Sequence, residues 1–293
     1  MRETPPERPL ERAPQRHPLE VKALARYRRL AMQGHKQAAL ECLWEALAME
    51  PNLPQVHVAL ARLRWPGADY RFWLSWFHAQ LAPRTYLEIG VEKGESLALA
   101  SPATRVVGVD PSPMGDPLSR CQGSARLYRM DSAAFFAAVP ADSGLAPEGF
   151  DLAFIDGDHR FEAVLDDFIA AERFAAPGAV VLLHDTLPLS ASTASREHRT
   201  GFYTSDGWKI VPCLKGLRPD LHIVTVPAAP TGLTVVTGLD PASRVLSERL
   251  PLIHQAYAAL PTAQALAAPG SMFSLGRNDP AWMADWLSRA RGP

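Results

Sequence analysis

The chain has 293 residues, of which 47% are hydrophobic, and its formal net charge is −1 at pH 7. This length suits one large domain with an appendage, and the balanced charge argues against nucleic-acid and membrane partners. No apolar run approaches the ~18 residues that cross a bilayer, no apolar signal region begins the chain, and three scattered cysteines (Cys42, Cys121, Cys213) indicate reduced thiols, so we expect a cytoplasmic protein.

The first part of the chain predicts helices. Residues 1–18 are rich in proline with scattered Arg and Glu, which is typical of a disordered or loosely docked arm. Residues 19–82 then show helical periodicity, and their first part resembles a tetratricopeptide-type hairpin. Stacked repeats need three or more units for stability. We therefore expect this helical extension to cover the following domain or to form a homodimer interface, in preference to binding peptides.

From residue 83 to 240, short apolar runs alternate with helical segments, and this predicts an α/β domain whose parallel sheet is covered on both faces. The predicted strands are 85–89, 105–110, 125–130, 150–155, 179–184, 221–226 and 233–237. The tail, 241–293, predicts two or three short helices without an assigned role.

The end of the first strand carries the strongest functional signal. The strand contains Glu88 and is followed by Gly90, Gly94 and a helix-like run over 95–100. Strand, glycine turn and helix together bring the backbone close to a nucleotide-like ligand, since Gly90 can adopt positive φ and has no Cβ. The pyrophosphate fingerprint has one more glycine and no such acid. The pattern therefore favours a ligand with positive charge, such as S-adenosylmethionine (SAM).

Acids also end the next two strands. Asp110 lies ~20 residues past the glycines, where a carboxylate can accept hydrogen bonds from ribose hydroxyls. Asp131 can accept from an adenine amino group, or it can be the N-cap of a helix over 132–139.

Asp156-Gly157-Asp158-His159 follows the fourth strand, and His184-Asp185 ends the fifth. With these motifs the chain resembles the bacterial small-molecule O-methyltransferases among the class I SAM-dependent methyltransferases, over roughly 84 to 240. The resemblance implies a seven-stranded Rossmann-like sheet with an antiparallel last hairpin, SAM as cofactor, and a secondary metabolite, sugar or phenol as acceptor. It also implies that the helix before the first strand, here 69–82, lies over the cofactor. The alternative, preferred for most of its aromatic residues, is ordinary core packing. These residues are Phe72, Trp73, Trp76 and Phe77. The predicted cofactor site comprises Glu88, Gly90, Gly94, Ser96, Asp110, Met130, Asp131 and Asp156.

The resemblance places a catalytic histidine at His159, three residues after Asp156, which is the second predicted catalytic residue. An imidazole titrates near neutrality and suits a general base, and the neighbouring Asp158 can orient it. The alternative is that Asp158 caps the helix predicted over 160–175 and His159 merely lies beside the site.

Asp156, His184 and Asp185 are the predicted metal ligands. Relatives hold Mg²⁺ through carboxylates at these strand ends. The imidazole of His184 suits Mn²⁺, Fe²⁺ or Zn²⁺ better. The alternative is that His184 caps the strand and Asp185 caps the turn at Thr186.

The long polar loop over 187–206 follows the fifth strand and is predicted to be a substrate-selecting lid. Its candidate substrate residues are Arg196, His198, Arg199 and Tyr203. The basic members favour an anionic or carbohydrate-like acceptor, although a solvated loop has a similar composition.

Two other function classes compete with methyl transfer. One is a non-haem metal-dependent oxygenase that uses His184, Asp156 and Asp185. It would not need the glycine turn or Asp110. The other is a non-catalytic scaffold that recruits a partner through the helical extension.

Overall fold

The structure is a computed structural model that describes residues 17–145 and 147–291. Residues 1–16 of the predicted arm lie outside the described residues. The last residue of that arm already belongs to the first helix, which begins at Pro18, and the His17 ring accepts a hydrogen bond from the N–H of Leu19. Proline is well suited to the first helical position because its missing N–H has no intrahelical partner there.

Four helices precede the sheet. They are α1 (Pro18–Met32), α2 (Lys36–Met49), α3 (Pro54–Arg64) and α4 (Tyr70–Leu81). All four belong to the helical extension. Leu24, Leu43 and Leu60 of its first three helices are buried in the same apolar cluster as Val107 and Leu183 of the sheet. The extension therefore packs on the following domain. Its role in a homodimer stays a prediction.

Seven strands form one sheet in the order β3-β2-β1-β4-β5-β7-β6. They are β1 (Thr85–Ile89), β2 (Arg105–Val109), β3 (Ala125–Tyr128), β4 (Phe150–Ile155), β5 (Ala175–His184), β6 (His222–Val226) and β7 (Leu233–Thr237). The first five are parallel, and β7 is antiparallel to both β5 and β6. This confirms the predicted seven-stranded Rossmann-like sheet and its antiparallel last hairpin.

Helices α5 to α11 complete the fold. They are α5 (Ser132–Ala138), α6 (Phe161–Glu172), α7 (Ile210–Leu217), α8 (Leu250–Ala258), α9 (Thr262–Ala267), α10 (Pro269–Phe273) and α11 (Pro280–Arg291). Within the described ranges, no helix has the length and apolar character that crossing a bilayer requires.

The prediction of a helix over 95–100 is wrong, because the chain makes only one 3₁₀ turn there, Leu97–Leu99. Ala100 is already extended, with ψ 141°. Two residues later comes Pro102, which lacks an N–H and could not continue a helix. The turn ends early for this reason.

The C-terminal tail covers one face of the sheet. Met283 and Leu287 of α11 share an apolar cluster with Trp73 and Phe77 of α4. Between the two helices the Nε1–H of Trp73 donates to Asn278 Oδ1 at 2.8 Å, and the Asn278 amide donates to a backbone carbonyl before α4 at 2.8 Å. The tail thus fixes the position of α4.

Candidate functional site

A cavity of about 1140 Å³ opens at the carboxyl edge of the parallel strands. Ligands bind at this edge in open α/β sheets because loops from several strand ends converge there. The predicted cofactor residue Gly94 is not part of the cavity wall. Residues that line it include Tyr70, Arg71, Gly90, Glu95, Ser96, Asp110, Asp131, Asp156, His159, His184, Asp185 and Tyr203. Strand ends, the start of α4 and the lid all contribute to it.

The two glycines of the turn are required by close backbone packing. Gly90 has φ +86°, and a Cβ there would lie 2.1 Å from the carbonyl oxygen of Asp156. Gly94 has φ +73°, and its Cβ would lie 2.1 Å from the carbonyl oxygen of Pro117. A side chain at either position would push β1 away from its neighbours.

Asp110 shapes the same turn. Its Oδ2 accepts hydrogen bonds from the N–H groups of Val91 and Glu92 at 2.8 Å, and its Oδ1 accepts from Ser112 N–H at 2.7 Å. Asp110 also lines the cavity. Its contact with a ribose stays a prediction. The backbone N–H groups already hold the carboxylate in place for such a contact.

Glu88 lies behind the cavity wall and is fully buried. It accepts hydrogen bonds from the Tyr86 hydroxyl at 2.6 Å and from Ser96 Oγ at 2.5 Å. Burial raises the pKa of Glu88 to about 8, although these hydrogen bonds favour its ionised form. Glu88 therefore supports Ser96, which does line the cavity.

Of the two residues predicted at the adenine end, Asp131 and Met130, only Asp131 lines the cavity. Asp131 lines the cavity and makes no side-chain capping hydrogen bond with α5, so its carboxylate is not used as the helix cap. Met130 lies outside the cavity wall and packs against the apolar core.

His159, His184, Asp156 and Asp185 form a compact cluster. His159 Nδ1 lies 2.7 Å from Asp185 Oδ2, and His184 Nδ1 lies 3.0 Å from Asp156 Oδ1 and 3.3 Å from Asp185 Oδ1. The carboxylate of Asp158 instead accepts from Arg160. Asp185, and not the predicted Asp158, orients His159.

Because Asp185 contacts both imidazoles, the charges of the cluster stabilise one another. Burial opposes the charge of Asp185, but His184 and His159 lower its pKa to about 2. Burial likewise opposes the charge of His159, but Asp185 and Asp156 raise its pKa to about 9. Asp185 has φ +55°, a left-handed conformation that Asp tolerates better than most residues. A strained backbone at such a cluster is typical of functional sites.

The donor set fits a divalent cation. Asp156, His184 and Asp185 each offer one ligand atom, and in the part of the chain that the structure describes these atoms lie within 4.8 Å of one another. Two carboxylates and one imidazole suit Mn²⁺, Fe²⁺ or Zn²⁺.

Sequence reasoning missed two neighbours of His184. The ring of Tyr70, at the start of α4, lies 4.3 Å from the His184 ring, and Thr231 Oγ1 lies 3.5 Å from His184 Nε2. Both residues come from elements far away in sequence. The available signal was a polar residue, Tyr70, at the N-terminal end of an otherwise apolar helix face.

Of the four predicted substrate residues, Tyr203 lines the cavity, and its ring stands edge-on to His159 at 6.1 Å. The ring of His198 packs on Tyr203 at 4.2 Å. Arg196 is bound to Glu162 and Arg199 to a neighbouring glutamate, and neither lies in the cavity wall. The anionic acceptor therefore loses the support of these two guanidinium groups.

The helical extension backs the lid. The N–H of Gly201 donates to Asn52 Oδ1 at 2.7 Å, and the ring of Phe202 stacks on His57 at 5.3 Å with an interplanar angle of 13°. Arg64, at the end of α3, donates to a lid carbonyl at 3.2 Å. The lid is thus held between α3 and the cavity.

Comparison with known proteins identifies the central segment. Residues 87–186 match a family described as "Methyltransferase domain". An uncharacterised protein of Acanthamoeba polyphaga mimivirus is 24% identical over 112 residues, which are 34% of this chain and 51% of the viral protein. The chain thus spans about half the length of that relative.

Three solved structures are similar in part. A cofactor-bound protein from MTB has 20% identity and a TM-score of 0.47, covering 58% of this chain and 80% of its own. The Streptomyces achromogenes O-methyltransferase of tomaymycin synthesis, in complex with SAM, has 17% identity and a TM-score of 0.44, with 57% and 78% covered. A Bacillus cereus O-methyltransferase in complex with SAH has 17% identity and a TM-score of 0.44, with 62% and 87% covered.

Proposed function

We propose that this chain, whose residues 87–186 form a class I SAM-dependent methyltransferase domain, transfers the methyl group to a hydroxyl oxygen of a small molecule such as a secondary metabolite, sugar or phenol. The observation that carries the proposal is the contact of 2.7 Å between His159 and Asp185 in the wall of the cavity. An oriented imidazole at the ligand-binding edge is the group that a hydroxyl nucleophile needs.

The cavity supports a cofactor and an acceptor together. Its volume, about 1140 Å³, exceeds the ≈ 300–1,000 Å³ of an ordinary single-ligand pocket. Carboxylates at Asp110, Asp131 and Asp156 line it, and they suit the ribose, the adenine amino group and the positive charges of SAM. The glycine turn, the β2 end and the start of α5 would hold the cofactor.

The chain's own contribution to the reaction is positioning and proton removal. The methyl carbon of a sulfonium is already activated, so the hydroxyl must be aligned with it and must lose its proton. Asp185 accepts from the Nδ1–H of His159, which leaves Nε2 free to take that proton. Tyr203 and Tyr70 both line the cavity and would provide aromatic surface for the acceptor.

Asp156, His184 and Asp185 would hold a divalent cation beside the same imidazole. Such a cation lowers the pKa of a hydroxyl group.

Calorimetry on metal-stripped protein tests the proposal. SAM should bind in the absence of metal. In titrations with Mg²⁺, Mn²⁺, Fe²⁺ and Zn²⁺, a divalent cation should bind at one site per chain. Asp156→Asn should abolish that binding. If SAM bound under none of these conditions, the proposal would be wrong. An oxidised product with Fe²⁺ and no SAH would instead support the oxygenase hypothesis.

Replacing His159 with Gln should lower turnover by ~10²–10⁴-fold, because this is the usual contribution of a positioned general base. A general base must be neutral, so wild-type turnover in metal-free protein should rise with pH up to about 9. Turnover is measured as SAH formation with a panel of phenols, catechols and sugars.

The affinity for SAM should be nearly unchanged in this variant, since His159 lies at the acceptor side. His222→Gln is the matched control, because His222 is exposed on β6 and does not line the cavity. A parallel loss of SAM affinity would mean that His159 is structural.

A further inference from the structure

We propose that Arg71 binds the carboxylate of the methionine part of SAM, an inference that rests on the proposed function. SAM carries an ammonium and a sulfonium, which suit the acidic side chains of the cavity wall, but it also carries one carboxylate. That carboxylate would be repelled by the acids unless a donor with positive charge faces it.

The backbone of the glycine turn supplies few donors. The N–H of Gly90 donates to the carbonyl of Val109 at 2.9 Å, and the N–H of Gly94 donates to Val91 at 2.8 Å. The N–H groups of Val91 and Glu92 donate to Asp110. These four N–H groups of the turn are thus already used within the protein.

The hydroxyl of Ser96 is also occupied. Ser96 lines the cavity, but its Oγ donates to the buried carboxylate of Glu88 at 2.5 Å. A serine hydroxyl has one proton to donate. Ser96 is therefore engaged with Glu88, and its neutral hydroxyl does not supply the positive charge that a carboxylate needs in this acidic wall.

The basic side chains of the cavity wall narrow the choice further. His159 and His184 are held by the aspartates of the cluster. Arg173 follows α6 and precedes Phe174, whose ring stacks on Phe136 of α5, so we assign Arg173 to the adenine end of the proposed cofactor site. Lys93 lies within the turn, with its Nζ 3.5 Å from the carboxylate of the preceding residue.

Arg71 and Lys93 are the two cations left at the turn, and Arg71 has the planar set of donors that matches a carboxylate. Its Nε donates to the Tyr70 hydroxyl at 3.2 Å, and its guanidinium forms an ion pair with Glu95, the residue directly before Ser96. Arg71 therefore already binds a carboxylate at the turn where the methionine part of SAM is expected. A guanidinium can bind two carboxylates or exchange one for another through its planar set of five N–H donors.

Calorimetry with SAM and decarboxylated SAM tests this inference as a double-mutant cycle between protein and ligand. Wild-type protein should bind SAM more tightly than decarboxylated SAM by ~10-fold or more, the usual effect of a charged hydrogen bond. Arg71→Met should lower SAM affinity by about this factor and leave the affinity for decarboxylated SAM nearly unchanged. The overall charge of the cavity cancels in the comparison.

Arg84→Met is the matched control, because Arg84 is paired with Asp151 and does not line the cavity. It should keep the wild-type preference. The Arg71 side chain is 55% exposed, so its replacement should leave the melting temperature unchanged and the variant folded.

Three results would overturn the inference. If Arg71→Met keeps the preference for SAM, another group binds the carboxylate. If Lys93→Met removes the preference and Arg71→Met does not, that group is Lys93. If wild-type protein binds neither ligand, the proposed function fails, and the inference fails with it.

Discussion

Glu88 lies beneath the glycine turn with no exposure to solvent, and its protonation depends on that position. Two hydroxyl groups, from Tyr86 and Ser96, point at its carboxylate. Its pKa is nevertheless raised to about 8 by burial, so the side chain keeps its proton in the folded protein at neutral pH. The unfolded chain loses that proton near pH 4.5, the ordinary pKa of a glutamate side chain.

Replacing Glu88 with Gln should reduce the pH dependence of stability. Between pH 4.5 and about 8 the folded state binds a proton that the unfolded state lacks, so Glu88 makes stability fall as pH rises through this window. Gln keeps an acceptor for the hydroxyls and cannot ionise. Urea unfolding at several pH values between 4.5 and 8.5 measures the difference.

The matched control for this experiment is Glu41→Gln, because Glu41 is exposed on α2. Its difference from wild type should not change over that pH range. A Glu88→Gln profile parallel to that of wild type would contradict the protonated state of Glu88.

At the scale of elements, the lid presents two aromatic neighbours to opposite sides. Phe202 packs on His57 of α3, whereas Tyr203 lines the cavity and meets His159. Phe202 is buried in the apolar cluster that also contains Leu53 and Leu60 of the extension. The helical extension therefore helps to position Tyr203, which lines the cavity, by holding the neighbouring Phe202.

Replacing Phe202 with Ala should loosen the lid, because it removes the apolar contact with α3 and leaves a cavity. We expect the free energy of unfolding to fall by about 3 kcal/mol. Amide hydrogen exchange over 187–206 should become faster, while SAM affinity should stay unchanged, since the cofactor end is built from other elements.

Phe72→Ala is a suitable comparison because Phe72 is an exposed aromatic residue on α4. It should leave exchange in the lid unchanged. Unchanged lid exchange in Phe202→Ala would show that α3 does not hold this loop.

The strands could be predicted because each is a short apolar run between turn residues, and these signals are local. The observed β1, β4 and β7 have the predicted bounds. Strand β5 begins earlier than predicted, at Ala175, because an irregular register against Phe150 lets an additional segment pair. Such pairing depends on a partner strand and leaves no local signal.

The candidate site was predictable only in part for the same reason. Asp156, His184 and Asp185 end strands that are adjacent in the sheet, so their meeting follows from the predicted topology. Side-chain partners within the site do not follow from topology. His159 has Asp158 next to it in sequence but contacts Asp185, since the side chain of Asp158 turns to Arg160.

In the molecule as a whole, the C-terminal tail supports the helix that lies over the proposed cofactor site. Asn278 accepts a hydrogen bond from Trp73, which lies within α4, and donates one to the carbonyl of Ala68, which precedes α4. The same helix carries Tyr70 and Arg71 into the cavity wall. The tail, to which the sequence assigned no role, is thus joined to the site through one asparagine.

Replacing Asn278 with Ala should lower the free energy of unfolding by about 1–3 kcal/mol, because the buried Nε1–H of Trp73 would lose its acceptor. Urea unfolding followed by tryptophan fluorescence measures this change. Gln80→Ala, on the exposed side of α4, should have almost no effect. Equal stability of the two variants would contradict the role of Asn278.

The backing of the lid by α3 also bears on how this protein can be re-engineered. Phe202 and Gly201 are matched to His57 and Asn52, which are encoded about half the chain earlier. A lid grafted from a different protein would arrive without its matching helix and would have no fixed position over His159. Any chimera intended to change acceptor choice must therefore exchange residues 52–64 together with 187–206, as two separate insertions that form one unit.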